Sequence, residues 1–295
     1  MKVLLATDCS DNALAAADWI RQWKTDHRVD LTIVTALGDP AILNPDNMDH
    51  WFPEMLLHER TRTEQHQNQL KSLLNDRCQS IDTLARSGHP VKVILATAED
   101  LGIDLIVIGA QGHSAIGRLL IGSVSDSVAT QAKCSVLIIR PPEQPSATES
   151  KDAPNLVIGY DGSSAADHAV EEVMSLSWQA SPQVTLVCVA PIYDYLLGTG
   201  LSPDALINEE RIYEAMKQRA EETVQQVKTK WPTVTSKLVH DSRIGPAIID
   251  AAEQANADVI VVGDSNHSTL DEILLGSTSK YVLRHAKRSV WIARK

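Results

Sequence analysis

The stretch DLIVIGAQGHSAIGRLLIGSVSDSVATQAKCSVLIIR, residues 104–140, decides the fold. Leu105 to Ile108 is a short apolar run rich in β-branched side chains, which suits a strand of a parallel sheet buried on both faces. It stops at Gly109. Gly112 follows, then nine residues, then Gly122-Ser123. Beyond Ser123 the apolar positions Val124, Val128 and Ala132 fall on one helical stripe, and Ser135 to Ile139 forms a second buried-strand run stopped by Pro141-Pro142. The order is strand, glycine-bearing loop, helix, strand. A glycine at the carboxyl end of a strand admits a ligand where a Cβ would clash. A helix that starts at Gly122-Ser123 offers free N–H groups and the positive end of its dipole to an anion. Ser123 and Ser125 add hydroxyl donors. The stretch reads as a phosphate-binding loop, with an ordinary strand-to-helix turn as the alternative.

The same text occurs twice. Residues 258–294 read DVIVVGDSNHSTLDEILLGSTSKYVLRHAKRSVWIAR, so that Gly109 matches Gly263, Gly122-Ser123 matches Gly276-Ser277 and Ser135-Val136 matches Ser289-Val290. Upstream, Leu4 to Asp8 matches Val157 to Asp161. A repeat of this length is a whole domain rather than a solenoid unit. A chain of 295 residues accommodates two such domains, each large enough to bury its own core. The reading is domain 1 over residues 1–140, a linker of proline, serine and charge over 141–154, and domain 2 over 155–295.

With 38 acidic against 27 basic residues the net charge is −11, which argues against nucleic acid or an anionic membrane as partner. The four cysteines, Cys9, Cys78, Cys134 and Cys188, have no metal-type spacing and suit a reducing cytosol. No apolar run approaches a membrane span, and the short N-terminal run reads as a strand rather than a signal peptide. A cytoplasmic location is expected.

Within domain 1 the strands are expected at Lys2 to Thr7, Asp30 to Ala36, Gln79 to Ser87, Leu105 to Ile108 and Ser135 to Ile139, each followed by a helix except the last. Domain 2 repeats the order. Alternation of strand and helix predicts an α/β fold, a doubly wound five-stranded parallel sheet with helices on both faces. Right-handed crossovers favour the strand order 3-2-1-4-5. That order makes strands one and four neighbours at the topological switch point, beyond whose carboxyl ends ligands bind. Asp8 ends strand one and is thereby brought beside the glycine loop. It is a ribose or Mg²⁺ ligand, a helix N-cap, or both.

These residues resemble the universal stress protein family, and the whole chain apart from the linker resembles a tandem universal stress protein. The fingerprint of ATP-binding members is Gly, two residues, Gly, nine residues, then Gly-Ser or Gly-Thr, and Gly109, Gly112, Gly122 and Ser123 match it. The resemblance implies ATP, with or without Mg²⁺, held by Asp8, Ala36, Ile108, Gly109, Gly112, Arg118, Gly122, Ser123, Val124 and Ser125, with adenine against the end of strand two near Ala36 and Asp8 near the ribose. It implies a role in stress signalling rather than one defined reaction. The matching set in domain 2 is Asp161, Val189, Gly263, Gly276, Ser277, Thr278 and Ser279, but there Asn266 replaces the second glycine. Between Gly109 and Ser123 the one formal charge is Arg118, whereas Asp264, Asp271 and Glu272 give the second loop −3. A polyanion is therefore expected to favour domain 1.

Other chemistry is sparse. His113 and His267 follow the second fingerprint position, where a phosphate contact competes with plain loop exposure. Cys9 reads as a half-buried small residue rather than a reactive thiol. The run Glu59 to Arg62 reads as a solvated helix face. No nucleophile elbow, P-loop or zinc pattern is present, and no serine-glycine-glycine loop follows strand one. Binding without catalysis is expected, no metal site is assigned, and a nucleotide-free scaffold for protein partners and a weak ATPase are the alternatives.

Strand five lies at the edge of a 3-2-1-4-5 sheet, and both copies are apolar: Val136, Leu137, Ile138 and Ile139, and Val290, Trp291, Ile292 and Ala293. An apolar edge invites a partner strand, and family members pair there. The expectation is an intrachain pseudo-dimer through the two fifth strands, compatible with a homodimer of the whole chain. Charged substitutions at Val136 and Val290 should then expand the particle in small-angle scattering, and an unchanged profile in the double variant would refute the pairing.

Overall fold

A computed structural model describes residues 1–24, 29–38, 51–112, 121–141, 153–190, 203–264 and 275–295. The chain divides into two compact units, Met1–Glu143 and Gln144–Lys295. Most of the predicted linker lies outside the described residues, as do Arg118, His113, His267, Asn266, Asp271 and Glu272.

Unit 1 runs β1 (Lys2–Ala6), α1 (Asp11–Ile20), β2 (Asp30–Leu37), α2 (Trp51–Leu74), β3 (Ser80–Ser87), α3 (Pro90–Leu101), β4 (Leu105–Gly109), α4 (Ser123–Gln131) and β5 (Ser135–Ile139). Its strands are all parallel and lie in the order β3-β2-β1-β4-β5. Unit 2 repeats this as β6 (Asn155–Gly159), α5 (Ser164–Ser175), β7 (Gln183–Ala190), α6 (Pro203–Val227), β8 (Thr235–His240), α7 (Ile244–Gln254), β9 (Val259–Gly263), α8 (Ser277–His285) and β10 (Ser289–Ala293), in the order β8-β7-β6-β9-β10. The expected α/β fold and strand order hold in each unit.

The sequence dictates this locally. The continuous apolar runs of β1 and β4 are buried on both faces, with Val3, Leu4, Leu5, Leu105, Ile106 and Val107 at 0% exposure, as central parallel strands require. The outer strand β3 is instead mostly exposed, with Ile81 its one buried position. Helix α3 starts with Pro90 in its first turn and ends on Gly102 in the left-handed region at φ 60°, the usual proline-start and glycine-stop asymmetry. The second copy stops α7 with Asn256 at φ 49°, the residue type that best tolerates this backbone after glycine.

One device is repeated without having been anticipated. Asp104, ahead of β4, accepts the backbone N–H of Lys2 at 2.7 Å, and Asp258, ahead of β9, accepts that of Asn155 at 2.8 Å. Each pins the start of its first strand to its fourth, and so fixes the register on which the switch point depends.

Candidate functional site

In domain 1 the register aligns Ala6 of β1 with Ile108 of β4 and Val34 of β2, so the chain leaves all three strands at one rim. Asp8 turns there, its Oδ1 accepting the N–H of Ser10 at 3.1 Å. A Cβ added to Gly112 would stand 2.5 Å from Asp8 Oδ2. Any side chain at 112 would displace the carboxylate, so this glycine brings the loop onto Asp8 as the strand order predicts. Asn12 of α1 anchors the same loop by donating Nδ2–H to the carbonyl of Gln111 at 2.9 Å.

Gly122 is the N-cap of α4, in extended backbone and with no side-chain cap, and its N–H donates to the carbonyl of Ala110 at 2.8 Å. The following turn of α4 begins with exposed Ser123, leaving its N-terminal amides directed at the rim. Ile108 is buried, while Ala36, Gly122 and Val124 are partly exposed. Ser125 departs from expectation. Its hydroxyl donates to the carbonyl of Gly109 at 2.7 Å in a buried position, and Ser279 does the same to Gly263 at 3.1 Å. A hydroxyl carries one proton, and in this arrangement each serine gives it to the chain's own backbone. Both tie their helix to the end of β4 or β9.

Helix α2 forms a wall that the sequence reading missed. Arg62 donates to the carbonyl of Cys9 at 3.4 Å, Glu59 accepts the N–H of Gly38 at 3.4 Å, and His66 Nε2 lies 2.9 Å from the hydroxyl of Thr7. The run Glu59 to Arg62 is the solvated face expected, with Arg60, Thr61 and Arg62 exposed and Glu59 partly so, while Glu59, Arg62 and the more buried His66 reach the ends of β1 and β2. Burial holds the His66 imidazole below its usual range, opposed by the charge of Asp8 and assisted by Arg62. Burial likewise raises the Cys9 thiol, which fits its reading as a half-buried residue of low reactivity. Cys9 sits in the left-handed region at φ 63°, where domain 2 has Gly162 at φ 77°. Because that conformation disfavours a Cβ, Cys9→Gly should stabilise the protein by roughly 0.5–1 kcal/mol in urea unfolding, net of the greater chain entropy of glycine. A loss of stability instead would mean that the thiol contributes contacts outweighing the strain.

In domain 2 a pocket opens at the carboxyl ends of β6, β7 and β9. Gly159, Asp161, Val187, Val189, Val262 and Gly263 line it from the strand ends, Ile244 and Ile248 from α7, and Thr278 and Ser279 from α8. Five members of the predicted second set thus come together; Gly276 and Ser277 begin α8 beside them. Asp161 repeats the turn of Asp8, accepting the N–H of Ser163 at 2.9 Å, and Ser163 caps α5 through the N–H of Ala166. Tyr160 donates its hydroxyl to Asp167 Oδ1 at 2.7 Å and shares a hydrogen bond with the Thr223 hydroxyl at 2.8 Å, while Arg219 pairs with Asp167 at 2.9 Å, tying α5 to α6.

Asp264 differs from its reading as a loop charge. Its side chain is 1% exposed, its Oδ2 lies 2.9 Å from Nε of Arg294, itself 0% exposed, and its Oδ1 accepts the N–H of Gly276 at 3.0 Å. The corresponding amide in domain 1 bonds a backbone carbonyl. The carboxylate thus closes the base of the second loop with its charge matched from within, and the count of −3 overstates the free charge there.

Fold and rim together define a doubly wound α/β protein, with a pocket at the switch point of domain 2 and the matching strand-end rim in domain 1. A family model described as the universal stress protein family matches residues 1–140 and again 154–294, and the chain belongs to that family, with two of its domains in tandem. A Thermus aquaticus universal stress protein is 34% identical over 139 residues, 47% of this chain and 97% of its own length. Universal stress protein YxiE of Bacillus subtilis is 30% identical over 147 residues, 47% of this chain and 98% of its own. A Mycobacterium bovis universal stress protein aligns across more of the chain, 29% identical over 196 residues, 65% of this chain and 62% of its own. The crystal structure of a universal stress protein from Archaeoglobus fulgidus shares the fold over 100% of this chain and 96% of its own, at a TM-score of 0.65 and 20% identity. Among the described residues no helix is long and apolar enough to cross a membrane.

Proposed function

We propose that this universal stress protein binds ATP in domain 1 and acts as a non-catalytic, nucleotide-responsive regulator of a stress response in the cytoplasm. The observation that carries the reading is the contact of Asp8 with Gly112: the carboxylate that would accept the ribose hydroxyls stands against the glycine loop whose helix start would receive the phosphates. Arg62 and the buried hydroxyl of Ser10, which has no hydrogen-bond partner among the described residues, supply further polar groups at this rim. If Mg²⁺ accompanies the nucleotide, Asp8 is the residue placed to meet it, and the ion would offset phosphate charge.

Titration of the full chain with labelled ATP, with and without Mg²⁺, should give one strong site. Gly122→Asp, which sets a carboxylate at the start of α4, should abolish it, and Gly276→Asp should change it little. Two equal sites, or one in domain 2 only, would sink the reading. The same preparation should hydrolyse ATP at background rate; rapid turnover lost in Asp8→Ala would make the protein an enzyme.

A further inference from the structure

Helix α8 carries a surface that its copy in domain 1 lacks. The segment KYVLRHAKR, residues 280–288, runs through the helix into the turn beyond it, and Lys280, Arg284, Lys287 and Arg288 give it four cations and no acid. The matching positions in domain 1 are Asp126, Thr130, Lys133 and Cys134, whose formal charges sum to zero. Lys280, Arg284 and Lys287 are exposed and Arg288 partly so, in a chain of net charge −11. The helix dipole accounts for Arg284 and His285 in the last turn, but it opposes Lys280 near the start. Packing does not require these charges either, because α4 buries the matching stripe without them: Ser125, Val128 and Ala129 against Ser279, Val282 and Leu283. The cations flank an apolar centre on the same helix face. The rings of Tyr281 and His285 stack with centroids 4.0 Å apart and 14° between planes. Tyr281 also lies against Gly245 of α7, where an added Cβ would stand 2.6 Å from its Cδ1; domain 1 has Val91 at the matching position. Ile244, next to Gly245, is 42% exposed and Tyr281 38%. A fixed ring and a large aliphatic side chain in water, rimmed by charge of one sign, have the anatomy of an interface core.

We propose that this face of domain 2 docks a short acidic protein segment bearing an aromatic or large aliphatic residue, its acids meeting Lys280, Arg284 and Lys287 and its apolar residue covering Tyr281 and Ile244. Charge complementarity sets the sign of the partner. Its size follows from the extent of the face, which spans about 13 Å at the rise of a helix. Helix α7 brings two exposed acids to the same side, Asp250 and Glu253, the latter 3.7 Å from Lys287. A nucleic acid or an anionic membrane would run past the cations onto these acids and onto the rest of a chain of net charge −11. A short acidic segment ends where the cations end. Thr278 and Ser279 in the first turn of α8 line the domain 2 pocket, and so does Ile244. The docking face therefore adjoins that pocket, and it stands independently of the ATP reading of domain 1.

The test is selection of peptides from a random display library on the immobilised full chain, followed by fluorescence anisotropy with the enriched peptide. Enriched sequences should carry Asp and Glu around an aromatic or aliphatic residue. Giving α8 the residues of α4, by Lys280→Asp, Tyr281→Ser and Arg284→Thr together, should weaken binding of that peptide by roughly thirtyfold or more, with helix content by circular dichroism kept because α4 forms with these residues. Lys280→Gln alone, a mild change at an exposed position, should weaken it severalfold and covers the case in which the triple variant fails to fold. The loss from Lys280→Gln should shrink at high salt and that from Tyr281→Ser should persist. Lys133→Gln on α4 should change nothing. No enrichment over the bare support, enrichment of peptides without acids, or full binding by the folded triple variant would overturn the proposal. Displacement of the peptide by oligouridylate RNA or by phosphatidylserine vesicles, at equal or lower concentration of charge, would overturn it too and mark the face as a nucleic-acid or membrane surface.

Discussion

Arg294→Leu should destabilise domain 2 by about 3–5 kcal/mol while leaving domain 1 near its original stability. The magnitude follows from where the charge is left. Nε of Arg294 lies 2.9 Å from Asp264 Oδ2, and neither side chain is more than 1% exposed. Removing the guanidinium strands a buried carboxylate with no other cation paired to it among the described residues, and the penalty is the desolvation of that ion rather than the modest value of the pair. Amide hydrogen exchange is the suitable measurement because the chain carries its own control. Exchange in β9 and β10 should accelerate by about a hundredfold or more, as 3 kcal/mol implies, while β4 and β5 change little. Adding Asp264→Asn should recover at least half of the loss, since an amide needs no counter-charge and can still accept the N–H of Gly276. A cost below about 1 kcal/mol in the single variant would show that the carboxylate is readily hydrated, and that it is not the buried anion described above.

The architecture was legible because its signals are periodic and repeated. Runs such as Leu105 to Ile108 declare a strand buried on both faces, and the match of residues 104–140 with 258–294 declares the duplication. The position of Asp8 beside the glycine loop followed from the strand order alone. What the sequence concealed was the direction of polar side chains. His66 lies on a long polar helix, and nothing in its spacing separates a residue that meets the end of β1 from one that meets water. Asp264 and Arg294 stand 30 residues apart, and pairing them needs the adjacency of β9 and β10. A local count of charges treats every carboxylate as solvated, and so misses that pair. Ser125 shows the same limit at shorter range: its type was read correctly as a donor, but its acceptor is the backbone of β4.

The fingerprint glycines divide by what a side chain would strike, and Gly263→Ala should be the costliest of their alanine variants. A Cβ there would lie 2.3 Å from the carbonyl oxygen of Ala165 and 2.5 Å from its carbon. Those atoms are backbone in the first turn of α5, so relief requires the helix to withdraw from the sheet. Overpacking of this kind typically costs about 1–3 kcal/mol, and the rigid obstacle places Gly263→Ala at about 3 kcal/mol or above. At Gly109 the nearest atoms, in Asn12 of α1, lie 3.0 Å away, and Gly109→Ala should cost at least 1 kcal/mol less. Gly112 is of another kind. Its Cβ would meet only the carboxylate end of Asp8 at 2.5 Å, which can rotate away, so Gly112→Ala should alter stability by less than about 1 kcal/mol and yet weaken ATP binding by moving Asp8. Urea unfolding of the three variants, read beside ATP titration, checks the ranking. The first glycine of the motif is then a packing requirement of strand against helix, and the second is the one that shapes the site. If Gly263→Ala is tolerated as well as Gly112→Ala, helix α5 is not seated on β9 as closely as the 2.3 Å approach demands, and the close strand–helix contact fails with it.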